Sequence, residues 1–172
     1  IPIGGGFMLY GNHQGMFDIF IMYGYVQKRF KWIMKDALRK MPLLGKACYD
    51  TGHIFVNRET PQKDLLRKSI AILKSGASMG IFPEGTRCRN GKMGKFKKGA
   101  FVIANMTQTP VLPITIDGAY NILPKGCKCL HWSPVTLTFH APIECQGRDS
   151  ENVERMMNEA ETVIANTLYK NK

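Results

Sequence analysis

Short apolar runs alternate along this chain with longer stretches in which apolar residues return every three or four positions. The short runs predict strands at 7–10, 30–34, 54–56, 79–82, 111–116 and 135–139. The periodic stretches predict helices at 16–26, 61–74 and 99–106, and a last helix from 150 onward. In 61–74, Thr60 is placed to cap and Pro61 suits the first turn. Leu65, Leu66, Ile70 and Leu73 then make one apolar face before Gly76 stops the helix. The last helix has the clearest period, with Ser150 as cap followed by Val153, Met156, Met157, Ala160, Val163, Ile164 and Leu168. Strands alternating with helices predict an α/β single-domain sandwich with a mixed, largely parallel sheet covered by helices. No repeat, low-complexity tract or long linker divides residues 1–172.

Charge narrows the partners. Lys and Arg total 24 against 13 Asp and Glu, a formal net charge of +11, which attracts nucleic acid, anionic lipid or small phosphorylated molecules alike. The five cysteines are an odd count, so a secreted disulfide framework is not expected, and a reducing, cytosol-facing compartment is. Cys127, Cys129 and His131 lack the fourth ligand and the spacing of a structural zinc site, and read as a plain loop. No apolar run reaches the roughly 18 to 20 residues of a membrane-spanning helix. The chain opens at Ile1-Pro2 without an initiator Met and carries no signal-peptide pattern. It therefore reads as a fragment or a processed form, with any N-terminal membrane-anchoring segment outside it.

The first chemical constellation is Asn12-His13-Gln14-Gly15-Met16-Phe17-Asp18. An imidazole is the side chain best suited to take a proton near neutral pH, and a carboxylate on its other nitrogen would set the tautomer. Five residues along one ideal helix leave two side chains about 140° apart, so His13 and Asp18 cannot meet on one helix face. They can meet if His13 ends a strand and the chain turns at Gly15 before the helix begins. The plain alternative is that Asp18 sits in a helix first turn, where the macrodipole favours acids. No Ser or Cys stands beside the pair as a nucleophile, which suits a reaction whose substrate supplies the hydroxyl.

The second constellation is cationic. Phe82-Pro83-Glu84-Gly85-Thr86-Arg87 follows a predicted strand, and six cations with no acid run from Arg87 to Lys98. Such a run is a solvated loop or, beside a tight turn, a phosphate site. Arg58 and Lys35 each follow a predicted strand, at the sheet edge where ligands bind in α/β folds.

Taken in order, these pieces resemble the PlsC-type glycerolipid acyltransferase family, in particular 1-acyl-sn-glycerol-3-phosphate acyltransferases. His13…Asp18 is similar to the family's H-x4-D block, Gly52…Phe55-Val56…Arg58 to its second, Phe82–Arg87 to its third and Val111-Leu112-Pro113-Ile114 to its fourth. Lys35…Leu38…Pro42…Gly45 is similar to the stretch between the first two. The family often carries Ser where this chain has Gly15, and no family block covers the chain after residue 118.

The resemblance implies an O-acyltransferase that moves a fatty acyl group from acyl-CoA or acyl-carrier protein to the sn-2 hydroxyl of 1-acyl-sn-glycerol 3-phosphate. The product would be phosphatidic acid, in phospholipid biosynthesis. His13 would be the base oriented by Asp18. Lys35, Arg58, Glu84, Gly85, Thr86 and Arg87 would hold the glycerol phosphate, and Pro113 would belong to acyl or acceptor binding. No metal or redox cofactor is implied. The expected partners are lysophosphatidic acid, the acyl donor and an anionic membrane surface, with no specific nucleic acid. The expected location is the cytoplasmic face of a membrane.

Two rival readings remain at this level. Gly76-Ala77-Ser78-Met79-Gly80 matches the G-x-S-x-G of serine hydrolases, but a helix precedes Ser78 and a strand follows, the reverse of a nucleophile elbow. A nucleic-acid-binding module would fit the charge, yet no helix-turn-helix, zinc-finger or RNA-recognition signature is present. Phe17, Phe20, Ile21 and Tyr23 read mainly as a helix core face, with membrane contact as the alternative.

Overall fold

A computed structural model describes residues 6–57, 62–88, 90–124, 127 and 129–170. Its centre is a six-stranded sheet in the order β3-β2-β4-β1-β5-β6. The strands are β1 (Met8–Gly11), β2 (Phe30–Lys35), β3 (Ile54–Val56), β4 (Ser78–Ile81), β5 (Val111–Asp117) and β6 (Thr136–Phe139). Every pairing is parallel except β5 with β6. The expected α/β sandwich with a mixed, largely parallel sheet is the fold observed.

A parallel sheet must be covered on both faces, which is why its strands are nearly continuous apolar runs. Met8 and Tyr10 of β1 point into one core with Met79, Val111 and Ile33. That core is closed by α3 (Gln62–Lys74), α4 (Lys98–Thr107) and α6 (Ser150–Tyr169). Leu9 points into the other, with Phe30, Trp32, Leu112 and Ile114, beneath α1 (Phe17–Tyr25) and the short α5 (Ala119–Ile122). The Tyr10 hydroxyl crosses its core to donate to the Ala100 carbonyl at 2.5 Å, tying β1 to the first turn of α4.

The crossovers from β1 and β4 set the position of the site. These strands are neighbours, but β1 leads through α1 on one face and β4 leads through α4 on the other. Their chains part at the C-terminal edge and leave a crevice there, the place where open α/β sheets bind ligands.

Several expectations shift. Ser150 is not the cap of α6; Asp149 is, and its carboxylate accepts from the Asn152 N–H. Asp is as strong a cap as Ser, and one position separates the two. The helix α2 (Leu44–Asp50), the 3-10 turn Asp36–Lys40 and α5 were not foreseen. They are too short for a periodic signal to emerge. Thr60 and Pro61 lie outside the described residues. Phe17 and Ile21 are half-buried while Phe20 and Tyr23 are exposed, so the helix core face is narrower than expected.

One polar contact joins α1 to the sheet. The Trp32 N–H donates to Nδ1 of His53 at 3.1 Å, which places the ring proton on Nε2, 2.6 Å from the Tyr23 hydroxyl. Burial, with the Lys31 ammonium nearby, pushes the His53 imidazole down to about 4. The folded ring resists a proton that the unfolded ring takes up near its ordinary value of 6.5. Its stabilising share is therefore complete above 6.5 and is lost as pH falls through about 4. Urea unfolding at pH 7 and pH 4.5 should show the loss, and His53→Gln should reduce the slope between them.

Candidate active site

The site begins where β1 ends. Asn12, 1% exposed, clamps β1 to β5: its side-chain amide donates to the Ile116 carbonyl and its oxygen accepts from the Ile116 N–H, both at 2.8 Å. His13 follows, still outside the helix. The chain turns through Gly15, and α1 starts at Phe17 with Asp18 in its first turn. The strand–turn–helix junction therefore brings together two side chains that one helix would keep apart. Nδ1 of His13 lies 2.7 Å from Oδ2 of Asp18, and the same oxygen accepts from the Gly15 N–H at 2.8 Å.

Asp18 is fully buried, and its Oδ1 has no hydrogen-bond donor among the described residues. An acid in a helix first turn is usually a solvated capping charge; this one is withdrawn from solvent and faces an imidazole. With its Nδ1–H given to Asp18, His13 keeps the lone pair of Nε2 for a proton. The ring is stacked on Phe82, with centroids 4.1 Å apart and planes within 5°. Its rotation is thereby fixed from a second side.

The turn after β4 holds the backbone of His13. Glu84 Oε1 accepts from the His13 N–H at 2.7 Å, and the Cys88 N–H donates to the His13 carbonyl at 2.8 Å. Glu84 Oε2 accepts from the Gly94 N–H at 2.7 Å, which draws in the basic loop. Burial raises the Glu84 carboxyl above its ordinary value, while the two backbone donors act the other way. A Cβ on Gly94 would stand 2.8 Å from Oε2, so only glycine allows this approach.

A cavity of about 520 Å3 opens beside His13. Ile19, Trp32, Met34, Leu38, Val56 and Phe82 give it an apolar wall. Lys35, Gly85, Thr86, Arg87 and Lys97 give it a polar and cationic side. Gly85 has φ +70°, and a side chain there would meet the Lys97 ammonium at 2.9 Å, so the bare glycine makes room for that cation. Volume and lining fit a ligand with a long apolar part and an anionic head.

Of the residues expected in the site, His13, Lys35, Gly85, Thr86 and Arg87 border this cavity and Asp18 supports it. Arg58 lies outside the described residues, two positions after Val56 of the wall. Glu84 is placed differently from expectation: both its oxygens are held by backbone N–H groups, so it braces the site rather than facing a phosphate. Pro113 is buried in mid-strand opposite Tyr10 and does not border the cavity. Lys97 and the apolar wall were missed. Lys97 was one cation in a run of six, and the wall residues read as strand and helix positions or as parts of the family blocks, with no cavity to line. Ser78 is fully buried in β4, where its hydroxyl accepts from the Phe7 N–H, which excludes a nucleophile elbow. Cys127, Cys129 and His131 are exposed, and no metal-binding cluster occurs among the described residues.

Residues 1–117 match the family model Acyltransferase. The chain belongs to the acyltransferase family. It is 36% identical over 160 residues to a protein named 1-acyl-sn-glycerol-3-phosphate acyltransferase LPAT1, chloroplastic, of Arabidopsis thaliana, covering 91% of this chain and 43% of that one. It is 34% identical over 128 residues to the 1-acyl-sn-glycerol-3-phosphate acyltransferase of Borreliella burgdorferi, covering 73% and 51%. The crystal structure of the 1-acyl-sn-glycerophosphate (LPA) acyltransferase PlsC from Thermotoga maritima aligns with a TM-score of 0.77 at 34% identity, over 97% of this chain and 66% of that one. The chain spans about half the length of the curated relatives it matches. Within this acyltransferase frame, the His13–Asp18 pair and the turn Pro83–Arg87 meet across the β1/β4 crevice.

The bracing role of Glu84 is testable by replacing one acceptor oxygen with an amide. Glu84→Gln should cost about 1–3 kcal/mol in thermal unfolding, the share of a buried unpaired polar group. In acyl-transfer kinetics it should lower kcat by about 10- to 100-fold through misplacement of His13, with little change in acceptor KM.

Proposed function

We propose that the chain transfers a fatty acyl group from an acyl thioester, acyl-CoA or acyl-carrier protein, to the sn-2 hydroxyl of 1-acyl-sn-glycerol 3-phosphate, forming phosphatidic acid. The observation that carries this is the 2.7 Å contact of His13 with a buried Asp18 at the edge of a cavity that is apolar on one wall and cationic elsewhere.

In this reading Nε2 of His13 takes the proton of the acceptor hydroxyl. The hydroxyl oxygen attacks the thioester carbonyl, a C–O bond forms and the C–S bond breaks. The imidazolium, stabilised by Asp18, returns its proton to the leaving thiolate. General-base help of this kind is worth about 10²- to 10⁴-fold, and positioning supplies the rest. Lys35, Arg87 and Lys97 hold the acceptor phosphate, with Gly85 and Thr86 shaping the turn beneath it; Arg58, outside the described residues, joins them on the family resemblance alone. The substrate hydroxyl is the nucleophile and the thioester is already activated, so the chemistry calls for no metal or redox cofactor.

The apolar wall favours a lipid acceptor over free glycerol 3-phosphate. Another lysophospholipid with a phosphate head would meet the same cations, and acceptor competition separates these cases. The relatives named 1-acyl-sn-glycerol-3-phosphate acyltransferases support the lysophosphatidic acid choice. The acceptor is an amphiphile, which favours work at a membrane surface, and the net charge of +11 favours an anionic one.

Thiol release from a long-chain acyl-CoA, with and without lysophosphatidic acid, tests the proposal. Release should depend on the acceptor and fall by at least about 10²-fold in His13→Ala. Release indifferent to the acceptor would indicate a thioesterase instead.

A further inference from the structure

Of the described cations in the basic loop after β4, Arg87 and Lys97 border the cavity. Arg87 follows the strand closely, but Lys97 lies at the far end of the loop, and residues 92–97 form neither helix nor strand. The backbone N–H groups of such a segment need acceptors from elsewhere in the fold. Two of them find acceptors on α6. The Met93 N–H donates to the Tyr169 hydroxyl at 3.1 Å, and the Phe96 N–H donates to Oε2 of Glu161 at 3.3 Å. The bond from Gly94 to Glu84 lies between these, and the Lys97 N–H donates to the Pro83 carbonyl at 3.0 Å just after them. Glu161 and Tyr169 each follow a buried residue of α6, Ala160 and Leu168, by one position, so both stand on the same side of its core stripe.

The effect on Lys97 follows from the course of the chain. Phe96 is 7% exposed and stacks on Phe101 in the core, with centroids 6.2 Å apart. Lys97 has an extended backbone, so its side chain leaves on the other side of the chain from Phe96, toward the cavity. The next cation, Lys98, is drawn to Glu154 of α6, 2.6 Å away. The helix therefore sorts two neighbouring lysines: it takes one as an ion pair, and it fixes the peptide that aims the other at the site. α6 itself lies outside residues 1–117, the span of the family match.

We propose that Glu161 and Tyr169 are positioning residues for acceptor binding. Neither borders the cavity; through the main chain of Phe96 and Met93 they hold the Lys97 ammonium where the acceptor phosphate binds. The link to the phosphate rests on the proposed acceptor; the restraint of the loop does not.

Tyr169→Phe and Glu161→Leu each delete one of these acceptors. In acyl-transfer kinetics at saturating donor, each should raise the KM for lysophosphatidic acid by about 3- to 10-fold, the worth of one hydrogen bond, and leave kcat within about twofold. Glu161→Gln keeps an acceptor oxygen and should recover most of the loss. Glu159→Gln, which touches the Arg155 ion pair on the same helix, should match wild type. In a Lys97→Ala background, Tyr169→Phe should raise KM no further, because both changes act through one cation. Amide hydrogen exchange at Met93 should quicken in Tyr169→Phe, and at Phe96 in Glu161→Leu. An unchanged KM, a fall in kcat alone, losses that add to that of Lys97→Ala, or unchanged exchange would overturn the assignment. Wild-type protein that turns over no lysophosphatidic acid would remove the acyl-transfer reading. Donor-free binding of the same lipid then decides the positioning role: weaker binding by Tyr169→Phe supports it, and equal binding overturns it.

Discussion

The carboxylate of Glu84 accepts from the backbone N–H of His13 with one oxygen and from that of Gly94 with the other, and the site is organised around those two bonds. An imidazole at the end of a strand has no helix to hold it. Its position here comes from its own main chain, pinned by a residue on the neighbouring strand's turn. The Cys88 N–H pins the other side of the same residue, and Phe82 stacks on the ring. Asp18, His13 and the basic loop are therefore one mechanical unit, although they lie on three different segments. A carboxylate so committed has little capacity left for a ligand, and beside a phosphate it would repel.

The sheet makes this unit possible. Its parallel strands all end at one edge, and the neighbouring strands β1 and β4 send their helices to opposite faces. The crevice between their ends is open because no crossover fills it. Asn12 holds the end of β1 against β5 through both its amide groups, so the crevice cannot drift on that side. The apolar wall of the cavity is continuous with the core: Trp32 is core on one side and stacks on Phe82, which itself borders the cavity, on the other. One set of side chains thus both stabilises the fold and shapes the cavity beside His13.

Much of this was legible in the residues. The six strands and the four longer helices follow from apolar periodicity, because each must bury one face or stripe and the spacing reveals which. The His13–Asp18 pair was legible as a conditional: the spacing excludes a shared helix face and permits contact only across a turn, and Gly15 supplies the turn. The cations of the Arg87–Lys98 run were visible by composition, but which of them enters the site was not. Lys97 differs from Lys95 only in where the folded loop places it. The apolar wall was invisible for a similar reason, since a residue lining a cavity and one filling a core have the same hydrophobicity.

The sequence by itself determined the alternation of elements, the apolar faces, the conditional pairing of His13 with Asp18 and the basic character of the loops, because all of these depend on residue type and local spacing. Only the tertiary structure decided that Glu84 turns inward and that Lys97 turns toward Gly85. Whether a carboxylate meets a ligand or a backbone donor depends on what the neighbouring strand presents to it. For Glu84 that donor is 71 residues away in the chain and becomes its neighbour only when the sheet forms.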